Sequence, residues 1–116
     1  MTKMYGIPNC DTVRTAKKAL DAAGTAYVFH DYKKAGADAA RIEGWARTVG
    51  MDRLLNKRGT TWRKLDEAEQ ARAEDLAGAA ALMAENPSLI KRPVIEHGEK
   101  VLVGFNEAEW TANGLL

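Results

Sequence analysis

Between residues 3 and 23 the chain changes its period once, and its only cysteine stands at the change. Lys3-Met4-Tyr5-Gly6-Ile7 reads as a brief apolar strand that Pro8-Asn9 breaks. Val13, Ala16, Leu20 and Ala23 then recur at i, i+3, i+7 and i+10, one face of an amphipathic helix. Asn9 or Asp11 is suited to cap that helix, which puts Cys10 in its first turn. There the unpaired N–H groups and the positive end of the helix dipole favour an anion. A thiolate is such an anion and is the reactive form of cysteine. The position therefore predicts a nucleophile, against the alternative of an inert core-filling thiol.

The rest of the chain extends this strand–helix unit. Ala23-Gly24 supplies a helix stop, and Ala26-Tyr27-Val28-Phe29 reads as a second strand. Two such strands joined through a helix pair in parallel as a βαβ unit. After the polar stretch Lys33-Lys34-Ala35-Gly36, residues Ile42, Trp45, Ala46 and Val49 predict a second amphipathic helix closed by Gly50. Leu54-Leu55 leads into a breaker-rich loop, Asn56-Lys57-Arg58-Gly59-Thr60-Thr61. Residues 66–85 read as one helix with Leu76, Ala77, Ala80 and Met83 on its apolar face, ended by Asn86-Pro87. Then the period becomes two. Pro93–Glu96 and Lys100–Phe105 form a β-hairpin about a three-residue turn, His97-Gly98-Glu99. Asn106 is placed to cap a last helix carrying Ala108 and Trp110. The order β-α-β, helical segment, β-β-α is that of an α/β, thioredoxin-like domain with a mixed four-stranded sheet. One domain over 1–116, with a helical insertion at about 37–88, is the expected organisation.

Composition narrows the function classes. A chain of 116 residues suits one core. A formal net charge of +1, with basic and acidic residues interspersed, gives no bulk drive toward nucleic acid. No apolar run approaches the ~20 residues of a membrane span, and Lys3, Pro8 and Asp11 interrupt the start of the chain as a signal peptide. One cysteine forms no internal disulfide, which fits a reducing cytoplasm. It also leaves no self-contained dithiol cycle, so redox turnover at Cys10 needs an external thiol. With one cysteine and two histidines, His30 and His97, no metal-ligand spacing exists, and both histidines read as strand-end residues.

Three segments together carry a family resemblance: Tyr5-Gly6-Ile7-Pro8-Asn9-Cys10-Asp11-Thr12, Leu55-Asn56-Lys57-Arg58-Gly59-Thr60, and Asn86-Pro87-Ser88-Leu89-Ile90-Lys91-Arg92-Pro93-Val94. In order along nearly the whole chain, they resemble the ArsC-type arsenate reductases and the related Spx-type regulators. Their details are similar to a short branch proposed to be glutathione-dependent thiol reductases. The resemblance implies that Cys10 is the nucleophile and that Asn9, Asp11 and Thr12 form its loop. It implies that Arg58 and Arg92 are anion-binding arginines and that Pro93 follows a cis bond. The third arginine of the arsenate reductases has Gly104 or an apolar neighbour in its place, which counts against arsenate.

Chemistry supports the two arginines in their own right. A guanidinium binds oxyanions and carboxylates bidentately, and beside a thiolate it favours the charged form. Arg58 also fits a solvated loop charge, and Arg92 a charge guarding a strand edge. Val13 stands where Cys-x-x-Cys proteins carry a second thiol, leaving a monothiol route. Trp45, Trp62 and Trp110 read as core or half-buried supports, with Trp62 the candidate for ligand contact. The expected function is a cytoplasmic monothiol oxidoreductase acting on a small anionic or disulfide substrate. It would hold no bound cofactor or metal and would take glutathione or a glutaredoxin-type thiol as co-substrate. The alternatives are an Spx-like regulator that docks on RNA polymerase without turnover, and a true arsenate reductase.

Overall fold

The computed structural model describes residues 2–116. In chain order the elements are β1 (Thr2–Gly6), α1 (Asp11–Ala23), β2 (Val28–Asp31), α2 (Tyr32–Ala35), α3 (Ala39–Val49), α4 (Met51–Leu54) and α5 (Thr60–Arg63). They continue with α6 (Glu67–Ala71), α7 (Leu76–Glu85), β3 (Val94–His97), β4 (Lys100–Val103) and α8 (Glu107–Ala112). Single 3-10 turns lie at Arg72–Glu74 and Pro87–Leu89. The chain divides into two compact units, one of residues up to Ala35 together with Arg92–Leu116, the other Gly36–Lys91.

The first unit holds a mixed four-stranded sheet in the order β2-β1-β3-β4. β1 pairs in parallel with β2, and both β1–β3 and β3–β4 are antiparallel. This is the thioredoxin-like α/β arrangement that the sequence predicts. Alternation along β1 sends Met4 to one face, where it joins Val13, Ala16 and Leu20 of α1. Ile95, Leu102, Trp110 and Leu115 complete that core cluster. Trp110 is fully buried, donates from its indole Nε1 to the Gly104 carbonyl at 3.2 Å, and meets Phe105 edge-on at 4.9 Å. Gly24 ends α1 in the left-handed region, φ 72°, as a helix stop requires.

Some sequence expectations shift. β2 runs Val28–Asp31, two residues later than Ala26–Phe29, because its register on β1 pairs Lys3 with Val28 and Gly6 with Asp31. The hairpin turn is two residues, not three: His97 pairs with Lys100, leaving Gly98 and Glu99 as the loop. Gly98 has φ 61° and Glu99 does not have positive φ, the sign pattern of a tight turn with glycine first. Ala23, at the end of the α1 stripe, and Ala108 are exposed. The polar stretch after β2 begins as the one-turn helix α2.

In the second unit α3 and α7 pack together, burying Ile42, Trp45 and Ala46 from one and Ala79, Ala80, Leu82 and Met83 from the other. The predicted single helix over 66–85 is three pieces. Asp66 and Asp75 each cap a new start, accepting from the Glu69 and Gly78 amides at 2.8 and 2.6 Å. The buried face of α7 is correspondingly rotated from the predicted one: Ala77 is exposed and Leu76 half-buried. Leu55 and Ile90 form an antiparallel bridge, with the Asn56 amide donating to the Leu89 carbonyl at 2.7 Å and the Lys91 amide to the Leu54 carbonyl at 2.8 Å.

Candidate functional site

Cys10 lies in the short connection from β1 to α1, half-buried, and packs against the core cluster of the first unit. It is not inside the first turn, as sequence reasoning placed it, but is itself the residue before the helix, with extended φ/ψ of −104° and 129°. The reason is local. Pro8-Asn9 turns the chain with both residues exposed, and Asp11 becomes the first helical residue. The neutral thiol makes no capping hydrogen bond. The ionised sulfur is favoured. Burial alone pushes the Cys10 thiol up, but the Val13 amide, a hydrogen bond from the Arg92 guanidinium, the Thr12 amide and the Arg92 charge together outweigh it. They hold the thiol below its ordinary value.

Arg92 therefore meets Cys10 within one unit, although 82 positions apart in sequence (92 − 10). It is half-buried just before β3, and the Arg92–Pro93 peptide bond is cis, as the resemblance implies. Pro93 is buried, and its carbonyl accepts from the Gly104 amide at 2.8 Å. Gly104, which with its apolar neighbours stands at the place the resemblance implies for a third arginine, thus sits opposite Pro93 with φ 77° and no side chain to offer. Asp11 is exposed and pairs with Arg14, a surface contact of small energetic weight. Asn9 and Thr12 are exposed as well, and Thr12 contributes its amide rather than its hydroxyl to the thiolate.

Arg58 belongs to the other unit, where it is exposed. Its amide donates to Asn56 Oδ1 at 3.0 Å, and its carbonyl accepts from Arg63 Nη2 at 3.0 Å, so its backbone is held on both sides. With Asp52, Leu55, Lys57 and Lys91 it lines a concavity of about 450 Å³. Lys91 Nζ is tethered there to the Asp52 carbonyl at 3.2 Å. Three cations against one carboxylate make this surface a place for an anion. Trp62 lines a neighbouring concavity, with Lys57 Nζ 5.3 Å from the centre of its ring.

Sequence reasoning missed a polar and aromatic group on the other face of the sheet. Tyr5 is buried, and its hydroxyl donates to Glu96 Oε1 at 2.8 Å. Its ring lies 5.0 Å from His30 and 6.4 Å from Tyr32. The available signal was an acidic residue, Glu96, two places after Val94 and directly after the apolar pair Val94-Ile95. Among the described residues no cluster of metal-binding side chains occurs, and no helix is long and apolar enough to cross a membrane.

Comparison with known proteins agrees with this arrangement. Residues 5–113 match the ArsC family. The solved YffB protein is 46% identical, each chain covering 97% of the other, with a TM-score of 0.92. An arsenate reductase (ArsC) related protein from Brucella melitensis is 45% identical over 96% of this chain and 92% of its own, with a TM-score of 0.73. The global transcriptional regulator Spx of Staphylococcus haemolyticus is 26% identical over 94% of this chain and 83% of its own length. A cysteine between β1 and α1, a four-stranded mixed sheet and a family match over nearly the whole length lead to one assignment: the chain belongs to the ArsC family.

Proposed function

We propose that the protein is a monothiol oxidoreductase that uses Cys10 as nucleophile and glutathione as co-substrate. The observation that carries this reading is the Cys10 sulfur set before α1 with the Arg92 guanidinium beside it. In the first step the Cys10 thiolate attacks the glutathionyl sulfur of a mixed disulfide, forming Cys10–S–S–glutathione and releasing the substrate thiolate. In the second, a glutathione thiolate attacks that sulfur, giving glutathione disulfide and restoring the Cys10 thiolate. The net exchange consumes one glutathione thiol per mixed disulfide: its sulfur is oxidised into glutathione disulfide, the substrate sulfur is reduced to a thiolate, and that thiolate takes up the proton the glutathione thiol gave up. A second protein thiol plays no part, in keeping with a single cysteine and Val13 at the position of a resolving one.

Arg92 lowers the cost of forming the thiolate in both steps and is in place to orient a carboxylate of the tripeptide. The cationic concavity of Lys57, Arg58 and Lys91 gives the second unit an anion-binding surface of its own. The reading is tested by titrating isotopically labelled protein with reduced glutathione and following amide chemical shifts. Changes centred on Cys10, Asp11, Thr12, Arg92 and Pro93 are expected. Changes confined to a surface away from these residues contradict the reading and fit the partner-docking behaviour of a regulator instead.

A further inference from the structure

Trp62 takes no part in the thiol chemistry and none in the core. Trp45 and Trp110 are 3% and 0% exposed, whereas Trp62 is half-buried on α5, a single turn with no buried residue. Its main chain is nevertheless held, the carbonyl accepting from Gln70 Nε2 at 2.9 Å and from the Leu65 amide at 3.1 Å. With Lys57, Glu67 and Glu74 it lines a concavity of about 330 Å³. A large ring fixed in a concavity rather than in a core is a stacking platform for a flat ligand.

Lys57 joins this concavity to the cationic one, because it lines both. Its Nζ lies 5.3 Å from the centre of the Trp62 ring, so positive charge begins where the ring ends. Arg58 and Lys91 continue that charge. Lys91 Nζ is tethered to the Asp52 carbonyl at 3.2 Å, and the Arg58 main chain is held by Asn56 and Arg63. Glu67 and Glu74 put carboxylates beside the ring. All of these residues belong to the second unit.

We propose that the two concavities together form one site for an anion carried on a flat, amino-bearing heteroaromatic ring, the chemistry of an adenine nucleotide. The ring stacks on Trp62, and the phosphate lies among Lys57, Arg58 and Lys91. The carboxylates fix the direction of binding: they repel phosphate from the ring end and accept from an exocyclic amino group. Neither half suffices alone. Exposed cations hold a bare anion weakly because water and salt screen them, and a neutral ring gains only its stacking. The site needs no residue of the first unit and no thiol chemistry.

The test is a titration of isotopically labelled protein, at low and fixed ionic strength, with inorganic phosphate, adenosine and adenosine monophosphate in turn. Amide shifts give both the location and the dissociation constant. The nucleotide is expected to move the amides of Lys57, Arg58, Trp62 and Lys91. It is expected to bind about tenfold or more tightly than either phosphate or adenosine. Trp62→Leu is expected to lose that advantage while binding phosphate as wild type does, which also shows that its loop is folded. Arg58→Gln is expected to weaken both phosphate and the nucleotide. The three ligands compared on wild type decide the matter even where Trp62→Leu folds poorly. A nucleotide that binds no more tightly than phosphate, or shifts centred on Cys10 and Arg92, would overturn the site. So would a Trp62→Leu variant that keeps the advantage, or an Arg58→Gln variant that weakens neither ligand.

Discussion

Cys10 illustrates how two opposing effects resolve at a single atom. Half-burial makes its charged form costly, and two backbone amides plus one guanidinium more than offset that cost. The consequence reaches stability. In the folded state Cys10 releases its proton at a lower pH than in the unfolded chain, so between those two values the unfolded state binds more protons and stability rises with pH. The contribution is fully present above the unfolded cysteine value, about 8.5, and is lost as pH falls through the lowered folded value. Denaturant unfolding of wild type and Cys10→Ser across pH 6 to 9 isolates it, since all other titrations cancel in the difference. Wild type is expected to gain on Cys10→Ser as pH rises, and a flat difference would show an unperturbed thiol. At this scale much of the site was legible: the cysteine and Arg92 stand in recognisable local patterns. What was not legible was the cap position of Cys10, which depends on how Pro8-Asn9 turns, and the contact of the Tyr5 hydroxyl with Glu96, which meet only through strand register.

Among the elements, those with a clean period were read correctly and those cut by a cap were not. α1 and α3 run for 13 and 11 residues with regular apolar stripes, and α8 carries Asn106 as its cap, accepting from the Glu109 amide at 2.8 Å. Residues 66–85 look continuous because alanine and leucine fit almost any helical face. Asp75 breaks them through an extended backbone, φ −119° and ψ 163°, and a side-chain bond to Gly78 that local propensity does not register. Gly78 makes a sharp test of this junction. A Cβ there would lie 2.1 Å from the Arg72 carbonyl oxygen and 2.9 Å from Asp75 Oδ1. Gly78→Ala is therefore expected to destabilise the protein by about 1–3 kcal/mol through forced backbone movement. Helix propensity alone favours alanine by roughly 1 kcal/mol. Calorimetric unfolding decides between the two signs, and an unchanged or raised Tm would remove the close approach as an explanation.

For the whole molecule, topology followed from the order of periods: a βαβ half and a ββα half around one sheet leave few other connections. One residue ties the second half to the core that Cys10 packs against. Trp110 is fully buried in the same cluster as Val13 and Leu20, so Trp110→Ala should cost about 3–5 kcal/mol in chemical denaturation. A loss below about 1 kcal/mol would mean that α8 is not part of that core. Substrate choice is also a property of the assembled charges. At the place where the resemblance implies a third arginine, this chain has Gly104 or an apolar neighbour, and Gly104 sits opposite Pro93. One missing donor in a partly desolvated anion site costs on the order of 2.7–4 kcal/mol, roughly a hundred- to thousandfold in rate. Arsenate turnover with glutathione and glutaredoxin should accordingly be weak or absent. Robust turnover would show that the third arginine is dispensable and would contradict this expectation.

The central claim is that Cys10 carries the glutathionyl group between substrate and glutathione. It is tested most directly by reducing a small glutathionylated disulfide, quenching the reaction with iodoacetamide during turnover, and weighing the intact protein. The account predicts a species heavier by one glutathionyl group, mapped to Cys10, that forms and decays at the rate of turnover. It predicts neither the species nor turnover in Cys10→Ser. Turnover without that species, or turnover that survives in Cys10→Ser, would contradict it.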